Sequence, residues 1–428
     1  MSRRVYSSRR LSAKDFGRFV SQAGSAPVTV GVDVSKHELV LMVRRGPEDF
    51  LGPLCAANPC QVREVAELVG LIAARGPVRV AMEPSGTYGD ALRQALSDRG
   101  IALQKVGAKR SHDYAEVFDG VPSQHDGKDA AVIAELCAIG KSSPWAYEPP
   151  DEKQSRMRLL VEWIDGQDRI RRMWLGRLEA ILARHWPEAT GVMPLRSATL
   201  LRALEHYRGP ADLAADARAV EKLLSWGGNL LKREKAAALV ESARATLGVR
   251  QNQADRDRLG RVARQALAAW HELRRSRSEL KQLAEGNRVI GSQAAAVGVA
   301  TACVLWARLG DPNDYPAAPA YLKAMGLNLT ERSSGQHKGP MHISKRGDPL
   351  VRRWLHMAAL RMVNAHAPVR DYYRGKRARH GASHRYAITA VVRRLAVAVY
   401  KLAVHDRQFD PARLFAGPKA AQAASGGQ

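Results

Sequence analysis

Alternating valines open the first strongly patterned segment of the chain. In PVTVGVDVS, every second residue from Val28 to Val34 is a valine, whereas Asp33 falls on the opposite parity. A period of two predicts a β-strand with a buried apolar face, and it turns Asp33 away from the valines. The next segment, HELVLMVRR, alternates in the same way after a short turn. It predicts the antiparallel partner of a β-hairpin.

Two more segments continue this pattern and alternate with helical ones. VRVAMEPSG places Glu83 on the parity opposite to its valines, and Pro84 ends the strand because proline has no ladder N–H. IALQKVGA, at residues 101–108, predicts another strand, and HDGKDAAVIAELCA predicts an apolar helix that begins at Asp126. Strands that alternate with helices over residues 27–145 predict an α/β domain.

A proline-rich link and a long helical region follow. The link is SSPWAYEPPDEK, at residues 142–153, and the pattern is almost wholly helical over residues 151–290. One seam has positions spaced alternately by four and three residues: Leu259, Ala263, Ala266, Trp270, Leu273, Arg277, Leu280 and Ala284. Such a seam suits an antiparallel helix pair within one chain or a contact between two chains, and the pattern leaves both open.

A third, mostly helical domain is predicted over residues 291–410. Its first segment, AAAVGVATACVLWARLGDP, predicts a buried alanine-rich helix entered through Val297-Gly298. This entry is typical of a packed core helix, and also of a helix-hairpin-helix turn whose N–H groups hold a phosphate. Residues 1–26 predict a flexible basic arm, and residues 411–428 predict a disordered tail.

The charge balance points to a polyanionic partner. The 428 residues contain 67 Lys and Arg against 42 Asp and Glu, which gives a net charge of +25 and a pI of about 10.3. Because the excess is spread along the whole chain rather than held in one tail, it favours a nucleic-acid partner over a merely solvated basic surface.

Cysteine usage and hydropathy exclude other classes of protein. Cys55, Cys60, Cys137 and Cys303 form no CxxC pair, so they predict reduced packing residues rather than a zinc site or a disulfide framework. The first 19 residues lack the apolar core of a signal peptide. The longest apolar run, at residues 294–307, is shorter than a bilayer span. We therefore predict a cytoplasmic protein without a membrane partner.

Four acidic residues are the main candidates for chemistry: Asp33, Glu83, Asp126 and Asp129. The first two lie among apolar residues, where a charge without a partner is costly. The other two are three residues apart and share one helix face. Taken singly, each has a simple alternative, as a surface acid at a strand end or as a favourable charge in a first helical turn. Together they predict a site for Mg²⁺ or Mn²⁺, which take oxygen ligands and can clamp a phosphodiester.

The segment GLNLTERSSGQHKGPMHISKRGDPLVRRW combines hydroxyl groups with cations. Serine is a weak nucleophile until it is activated, and attack on a phosphodiester needs cations that hold the phosphate. Ser333 and Ser334 supply the hydroxyls. We predict nucleic-acid contacts for Arg332, Ser333, Lys338, Lys345, Arg346, Arg352 and Arg353. A Ser-Ser-Gly turn in a loop that only binds phosphate is the alternative, and the residues alone leave it open.

These motifs together resemble a known family. GVDVSK, AMEPSGTY and HDGKDA, followed by GLNLTERSSG and HISKRGDPLVRRW, are similar in order and distribution to the DEDD transposases of the IS110 insertion-sequence family, also called bridge recombinases. The resemblance extends from about residue 28 to about residue 405. One departure is Ala296-Val297-Gly298, where the family usually has Gly-Ile-Gly.

The resemblance implies a fold and a mechanism. It implies a RuvC-like domain of RNase H fold over residues 27–145, a coiled-coil region over 151–290 and a transposase domain with a catalytic serine over 291–410. It implies that Asp33, Glu83, Asp126 and Asp129 are the metal ligands and that Ser334, with Ser333 beside it, is the catalytic serine. It further implies a covalent phosphoserine link to DNA and a bacterial protein associated with the nucleoid. A structured noncoding bridge RNA would select donor and target DNA, and a dimer or tetramer would join the two halves across protomers.

Three classes of function fit the sequence. A transposase or recombinase would cut and rejoin DNA with the four acids and Ser334. A RuvC-like nuclease would hydrolyse DNA with the same acids and a water molecule. A non-catalytic nucleic-acid-binding scaffold would explain the charge and the helices but not four acids in a basic chain. We predict the recombinase.

Overall fold

The computed structural model describes residues 6–121, 125–148, 151–331, 339, 341–379, 381, 383–405 and 407–415 of the chain. The chain divides into two compact units, Met1–Pro149 and Pro150–Gln428. This division falls within the proline-rich segment that the sequence predicts as a link.

The first unit is an α/β unit. Its strands are β1 (Arg9–Arg10), β2 (Val28–Val34), β3 (Glu38–Gly46), β4 (Asp49–Ala57), β5 (Val78–Met82), β6 (Ala102–Lys105) and β7 (Ser143–Pro144). Its helices are α1 (Phe16–Ala23), α2 (Val62–Ala73), α3 (Asp90–Ser97), α4 (Ala108–Asp119) and α5 (Asp126–Ala138).

The second unit is mostly helical. Its helices are α6 (Glu152–His185), α7 (Ala189–Val192), α8 (Ala198–Tyr207), α9 (Pro210–Ala215), α10 (Ala219–Gly227), α11 (Arg233–Arg244), α12 (Gln253–Ala284), α13 (Arg288–Val297), α14 (Val299–Leu309), α15 (Ala318–Ala324), α16 (Pro349–Ala365), α17 (Ala367–Arg379), α18 (His384–His405) and α19 (Pro411–Phe415). Two short strands, β8 (Leu329–Thr330) and β9 (His342–Ile343), pair antiparallel.

The seven strands of the first unit form one mixed sheet. Their order is β1-β4-β3-β2-β5-β6-β7, with β2 antiparallel to β3 and parallel to β5. The hairpin predicted from the alternating segments is therefore confirmed. The strand predicted over residues 101–108 is shorter, because α4 already begins at Ala108.

Helices cover both faces of this sheet. The valine face of β2 packs with α1, α2 and α3 in one apolar core. The opposite face packs against α5, through small clusters that include Ala81, Val40 and Ala130. Because β2 is central, its residues between Val28 and Val32 are buried on both parities. Asp33, half-buried near the end of this strand, therefore lies on the α5 side of the sheet.

The long helices α6 and α12 pack along each other in the second unit. Met157 and Val161 near the start of α6 share a core with Leu280 near the end of α12. Leu178 near the end of α6 shares another core with Leu259 near the start of α12. The two helices therefore run antiparallel within one chain, which is one of the two arrangements that the seam leaves open.

The predicted seam of α12 is wrong at one position. Arg277 is exposed, whereas its neighbour Ser276 is buried. A straight α-helix has 3.6 residues per turn, so a strict seven-residue repeat drifts by about 20° per heptad relative to the packed face. The drift brings Ser276 rather than Arg277 under α6, where its hydroxyl donates a hydrogen bond to Glu272 Oε1 at 3.3 Å.

The turn through Val297-Gly298 joins α13 to α14, the buried helix that the sequence predicts after this turn. Gly298 ends α13 with a positive φ of 80° and precedes α14, whose residues from Thr301 to Leu305 are buried. The Arg361 side chain donates hydrogen bonds to the Val297 carbonyl oxygen at 3.0 Å and to Thr301 Oγ1 at 3.2 Å. The Arg361 guanidinium group thus stabilises this turn.

The four cysteines are free thiols, but they do not all pack in the interior. Cys137 and Cys303 are buried, as predicted for packing residues, and burial raises the pKa of Cys303 to about 11. Cys60 is exposed, so the packing prediction is wrong there. Within the described parts of the chain, every helix is too short or too polar to cross a bilayer.

Candidate metal centre

Three of the four predicted acids converge in the first unit. Asp33, Asp126 and Asp129 each offer a carboxylate oxygen, and these oxygens lie within 4.8 Å of one another. Asp33 comes from the end of β2, and the other two come from the first turn of α5. Residues that are almost 100 positions apart in the sequence thus meet at one point.

The close approach of α5 to β2 brings these oxygens together. Gly31 faces α5, and a Cβ atom at this position would overlap the Ala130 carbonyl oxygen and the Ala134 backbone nitrogen. Glycine is therefore required where the helix crosses the strand. Ala130, Ala131 and Ala134 present small side chains to the sheet, so the start of α5 lies directly beside Asp33.

Glu83 lies beside this group without belonging to it. It follows β5, which pairs parallel with β2 so that Met82 is opposite Val32. The buried Ser111 of α4 donates a hydrogen bond to Glu83 Oε1. The negative charge of Glu83 is near enough to raise the pKa of Asp33. The structure thus places three predicted acids together and holds the fourth next to them through a serine.

The clustered carboxylates disfavour one another's charge. Burial, followed by the charges of Asp129, Asp126 and Glu83, raises the pKa of Asp33 to about 6, although the Val34 N–H group opposes this shift. Burial and the charge of Asp126 also raise the pKa of Asp129, against the opposing effect of Lys128 and His125. A cation among these oxygens would relieve the repulsion.

The donor set fits a hard divalent cation. Three carboxylate oxygens at mutual coordinating distance, with Glu83 adjacent, match the oxygen ligands that Mg²⁺ and Mn²⁺ prefer. Asp126 is exposed and Asp129 half-buried, so the site is open to solvent and to a substrate. A site with these properties can hold a metal ion against a phosphate.

A buried lysine anchors the helix that carries two of the acids. Lys128 is 0% exposed, and its Nζ donates hydrogen bonds to Asp119 Oδ1 at 2.7 Å and to the Val121 carbonyl oxygen at 2.5 Å. The Tyr6 hydroxyl donates to the other oxygen of Asp119 at 3.3 Å. Although burial opposes the shift, the hydrogen bonds from Lys128 and the Val121 N–H group lower the pKa of Asp119. This contact ties the first turn of α5 to the end of α4.

Sequence reasoning missed Lys128 and Ser111. Lys128 lies between two predicted ligands, where a lysine is expected to be a solvated charge. Ser111 lies in an ordinary polar stretch, KRSHDY. Both roles depend on a partner, Asp119 or Glu83, that only the folded chain supplies. No pattern in the sequence signals either contact.

Much of the predicted serine segment falls outside the described residues. Arg332, Ser333, Ser334, His337 and Lys338 belong to that part of the chain. On either side of it, Thr330 of β8 pairs with His342 of β9. The exposed Lys345 and Arg346 follow β9, and Lys345 has a positive φ of 56°.

Arg352 and Arg353 are engaged inside the second unit. Arg352 Nη1 donates hydrogen bonds to the carbonyl oxygens of Met325 at 2.9 Å and Gly347 at 2.8 Å. Arg353 forms an ion pair with the buried Asp165 of α6, and burial lowers the pKa of Arg353. Both side chains thus stabilise the position of α16. The exposed Lys345 and Arg346 are more accessible to a nucleic acid than these two arginines.

Comparison with known proteins gives the family. A family model described as "Transposase", for the DEDD transposases of IS110, matches residues 30–187. A second model, described as "Transposase IS116/IS110/IS902 family", matches residues 292–374. The first match contains all four acids, and the second contains the serine segment. The chain belongs to the IS110 family of DEDD transposases.

A curated relative agrees with this assignment. The transposase is 26% identical over 359 residues to a protein of Streptomyces coelicolor named "Insertion element IS110 uncharacterized 43.6 kDa protein". The alignment covers 81% of this chain and 86% of that relative. As a member of the family, the transposase is an enzyme that cuts and rejoins DNA and therefore binds DNA. The carboxylate cluster lies in the DEDD part of this enzyme.

Proposed function

We propose that this transposase moves an insertion sequence by strand exchange at a metal-dependent site that works with a serine nucleophile. Asp33, Asp126 and Asp129 hold a divalent ion, and Glu83 completes the set when its carboxylate turns from Ser111 towards the ion. The convergence of carboxylate oxygens within 4.8 Å carries the proposal. A bound Mg²⁺ or Mn²⁺ would polarise the scissile phosphate.

Sheet topology supports a RuvC-like domain of RNase H fold over residues 27–145. Three antiparallel strands, β4, β3 and β2, are followed across the sheet by the parallel strands β5 and β6. The acids lie near the end of the central strand, after its parallel neighbour and at the start of a helix. The remaining proposed domains are a coiled-coil region over residues 151–290 and a transposase domain over residues 291–410.

The proposed covalent step belongs to Ser334, with Ser333 as the alternative. The serine oxygen would form a bond to the scissile phosphorus, and the bond to one DNA oxygen would break, which releases that oxygen as a hydroxyl. One phosphodiester replaces another, so the reverse attack by a DNA hydroxyl reseals the strand without an added energy source. Arg332, Lys338, Lys345 and Arg346 would neutralise the phosphate.

The resemblance to bridge recombinases supports a reaction that an RNA guides and that two protomers carry out together. A structured noncoding RNA would pair with donor and target DNA, and a dimer or tetramer would combine the carboxylates of one protomer with the serine of another. Mixing an Asp33→Ala chain with a Ser334→Ala chain should then restore part of the recombination activity. If the mixture recombines no more than either chain alone, sharing between protomers is wrong.

Metal binding by single-acid variants tests the proposed site. Asp129→Asn should lower the Mn²⁺ affinity, measured by isothermal titration calorimetry, and metal-dependent DNA cutting by at least about 100-fold. Asp98→Asn, which removes an exposed acid of the same unit, is the matched control and should change neither. Unchanged Mn²⁺ affinity in Asp129→Asn would show that the cluster is not the metal site.

A further inference from the structure

The face of α12 that points away from the apolar core is polar and carries arginines. With 3.6 residues per turn, Arg261, His271, Arg275 and Gln282 share the face opposite to the buried residues Leu259 and Leu280. These four side chains are exposed to solvent. The helix is thus apolar towards the core and basic towards solvent.

The acids of α12 do not neutralise this face. Asp255 closes the capping box at the start of the helix. Asp257 pairs with Arg208 at 3.2 Å, and Glu279 pairs with Arg156 of α6 at 2.7 Å. Glu272 accepts a hydrogen bond from the Trp163 indole nitrogen at 2.9 Å. Each carboxylate of the helix therefore already has a partner.

Two neighbouring arginines lack such a partner. Arg274 and Arg275 form no ion pair with any acid in the described ranges, and both are exposed. The guanidinium carbon of Arg274 lies 5.5 Å from the centre of the Trp270 ring, which orients the side chain and leaves N–H groups at its edge. This part of α12 thus keeps two uncompensated positive charges.

These arginines line an open groove of about 660 Å³ between α12 and the start of α6. The lining side chains are Arg156, His271, Arg274, Arg275, Ser278 and Gln282, together with the paired Glu279. Apart from that neutralised acid, each of them can donate a hydrogen bond. A groove that offers donors and net positive charge is complementary to phosphate groups.

We propose that this groove binds the phosphodiester backbone of duplex DNA. The planar guanidinium group of arginine can donate two parallel hydrogen bonds to the oxygens of one phosphate. The part of α12 that lines the groove, from His271 to Gln282, extends about 17 Å at 1.5 Å per residue, close to half a turn of B-DNA at about 34–36 Å per turn. Among the lining residues, His271 alone has an aromatic ring, so the groove lacks a row of rings on which successive unpaired bases could stack and suits a duplex backbone better than a single strand.

The inference deepens the proposed function, because it assigns a DNA contact to residues outside both the carboxylate cluster and the serine segment. DNA held by α12 would add affinity without reading sequence, since phosphate contacts position a protein but do not specify bases. Target choice would then be left to other parts of the complex. Removal of the groove's charge should weaken binding to all duplexes alike.

Salt-dependent DNA binding tests the groove. Arg274→Ala with Arg275→Ala, built on Asp33→Asn so that cutting cannot interfere, is titrated against a 30-base-pair duplex by fluorescence anisotropy at several salt concentrations. The slope of log K against log salt should become shallower by about 1.8, or about 0.9 for each phosphate that the variant no longer neutralises. Both positions are exposed, so the melting temperature should not change.

Arg233→Ala with Arg244→Ala on α11 is the matched control, because these arginines are also exposed but each pairs with an acid. Equal slopes in the groove variant and the control would overturn the proposal. A weakening confined to duplex or single-stranded RNA of the same length would overturn the assignment to DNA. A change in molar mass by light scattering would identify the groove as a subunit interface instead. Because binding is measured without cutting, failure of the catalytic proposal leaves this test intact.

Discussion

The half-buried position that suits Asp33 to bind a metal ion lowers the stability of the metal-free protein. It is half-buried beside two carboxylates, and its pKa is raised to about 6 from an ordinary 3.8. Its folded form therefore binds a proton more readily than its unfolded form between about pH 4 and pH 6. Stability of the metal-free protein should fall as pH rises through this window, because the unfolded state binds fewer protons there.

Asp33→Asn should remove this penalty. In the presence of EDTA, the variant should have a higher melting temperature than the unchanged protein at pH 8, and a clearly smaller advantage at pH 4.5. Added Mn²⁺ should stabilise the unchanged protein at pH 8 but not Asp33→Asn. Asp49→Asn, at an exposed ion pair with Arg45, is the control. A melting temperature of Asp33→Asn that is equal to or below the unchanged one at pH 8 would contradict the raised pKa.

At the scale of secondary-structure elements, α5 positions the site. Its contact with β2 depends on Gly31, and its first turn is fixed by Lys128. The hairpin of β2 and β3 and the existence of α5 could be predicted, because burial imposes local periods of 2 and 3.6 residues. The contacts of Lys128 and Ser111 could not, since each joins segments that are distant in sequence. Arg277 was wrongly placed in a seam because the heptad repeat drifts around the helix.

Gly31→Ala should damage the fold and the site together. The added methyl group would overlap backbone atoms of α5, so the helix must move away from the strand. Overpacking of this kind costs about 1–3 kcal/mol of unfolding free energy. Gly17→Ala, in a helix where a Cβ meets no atom within 4 Å, should not destabilise the protein. Urea denaturation gives both values, and a harmless Gly31→Ala would refute the close approach.

Lys128→Met should weaken metal binding as well as stability. It leaves the Asp119 carboxylate, whose side chain is 8% exposed, without its cation, which costs about 3–5 kcal/mol. Lys128→Met with Asp119→Leu should recover stability but not the full Mn²⁺ affinity, because the first turn of α5 loses its anchor. The control is Arg44→Met with Glu135→Leu, an ion pair further along the same helix. If the double variant at Lys128 binds Mn²⁺ as tightly as this control, the anchor has no role in positioning.

At the scale of the whole molecule, the division between the two units falls within the proline-rich segment, and the two family matches follow the order of the main motifs. The sequence did not anticipate how the cores of the second unit divide. The start of α6 and the end of α12 belong to the core of the helices after residue 288, whereas residues 178–267 form a core of their own. The long helix pair thus spans both cores, because each helix is longer than one core can cover.

The central claim is that metal-bound carboxylates and a serine act together on DNA. The most direct measurement is a denaturing gel of the transposase incubated with donor DNA, guide RNA and Mn²⁺. The account predicts a covalent protein–DNA adduct that is absent in Ser334→Ala and in Asp33→Asn but present in Asp98→Asn. Free DNA ends without an adduct, formed equally by the unchanged protein and Ser334→Ala, would show a hydrolytic nuclease and contradict it.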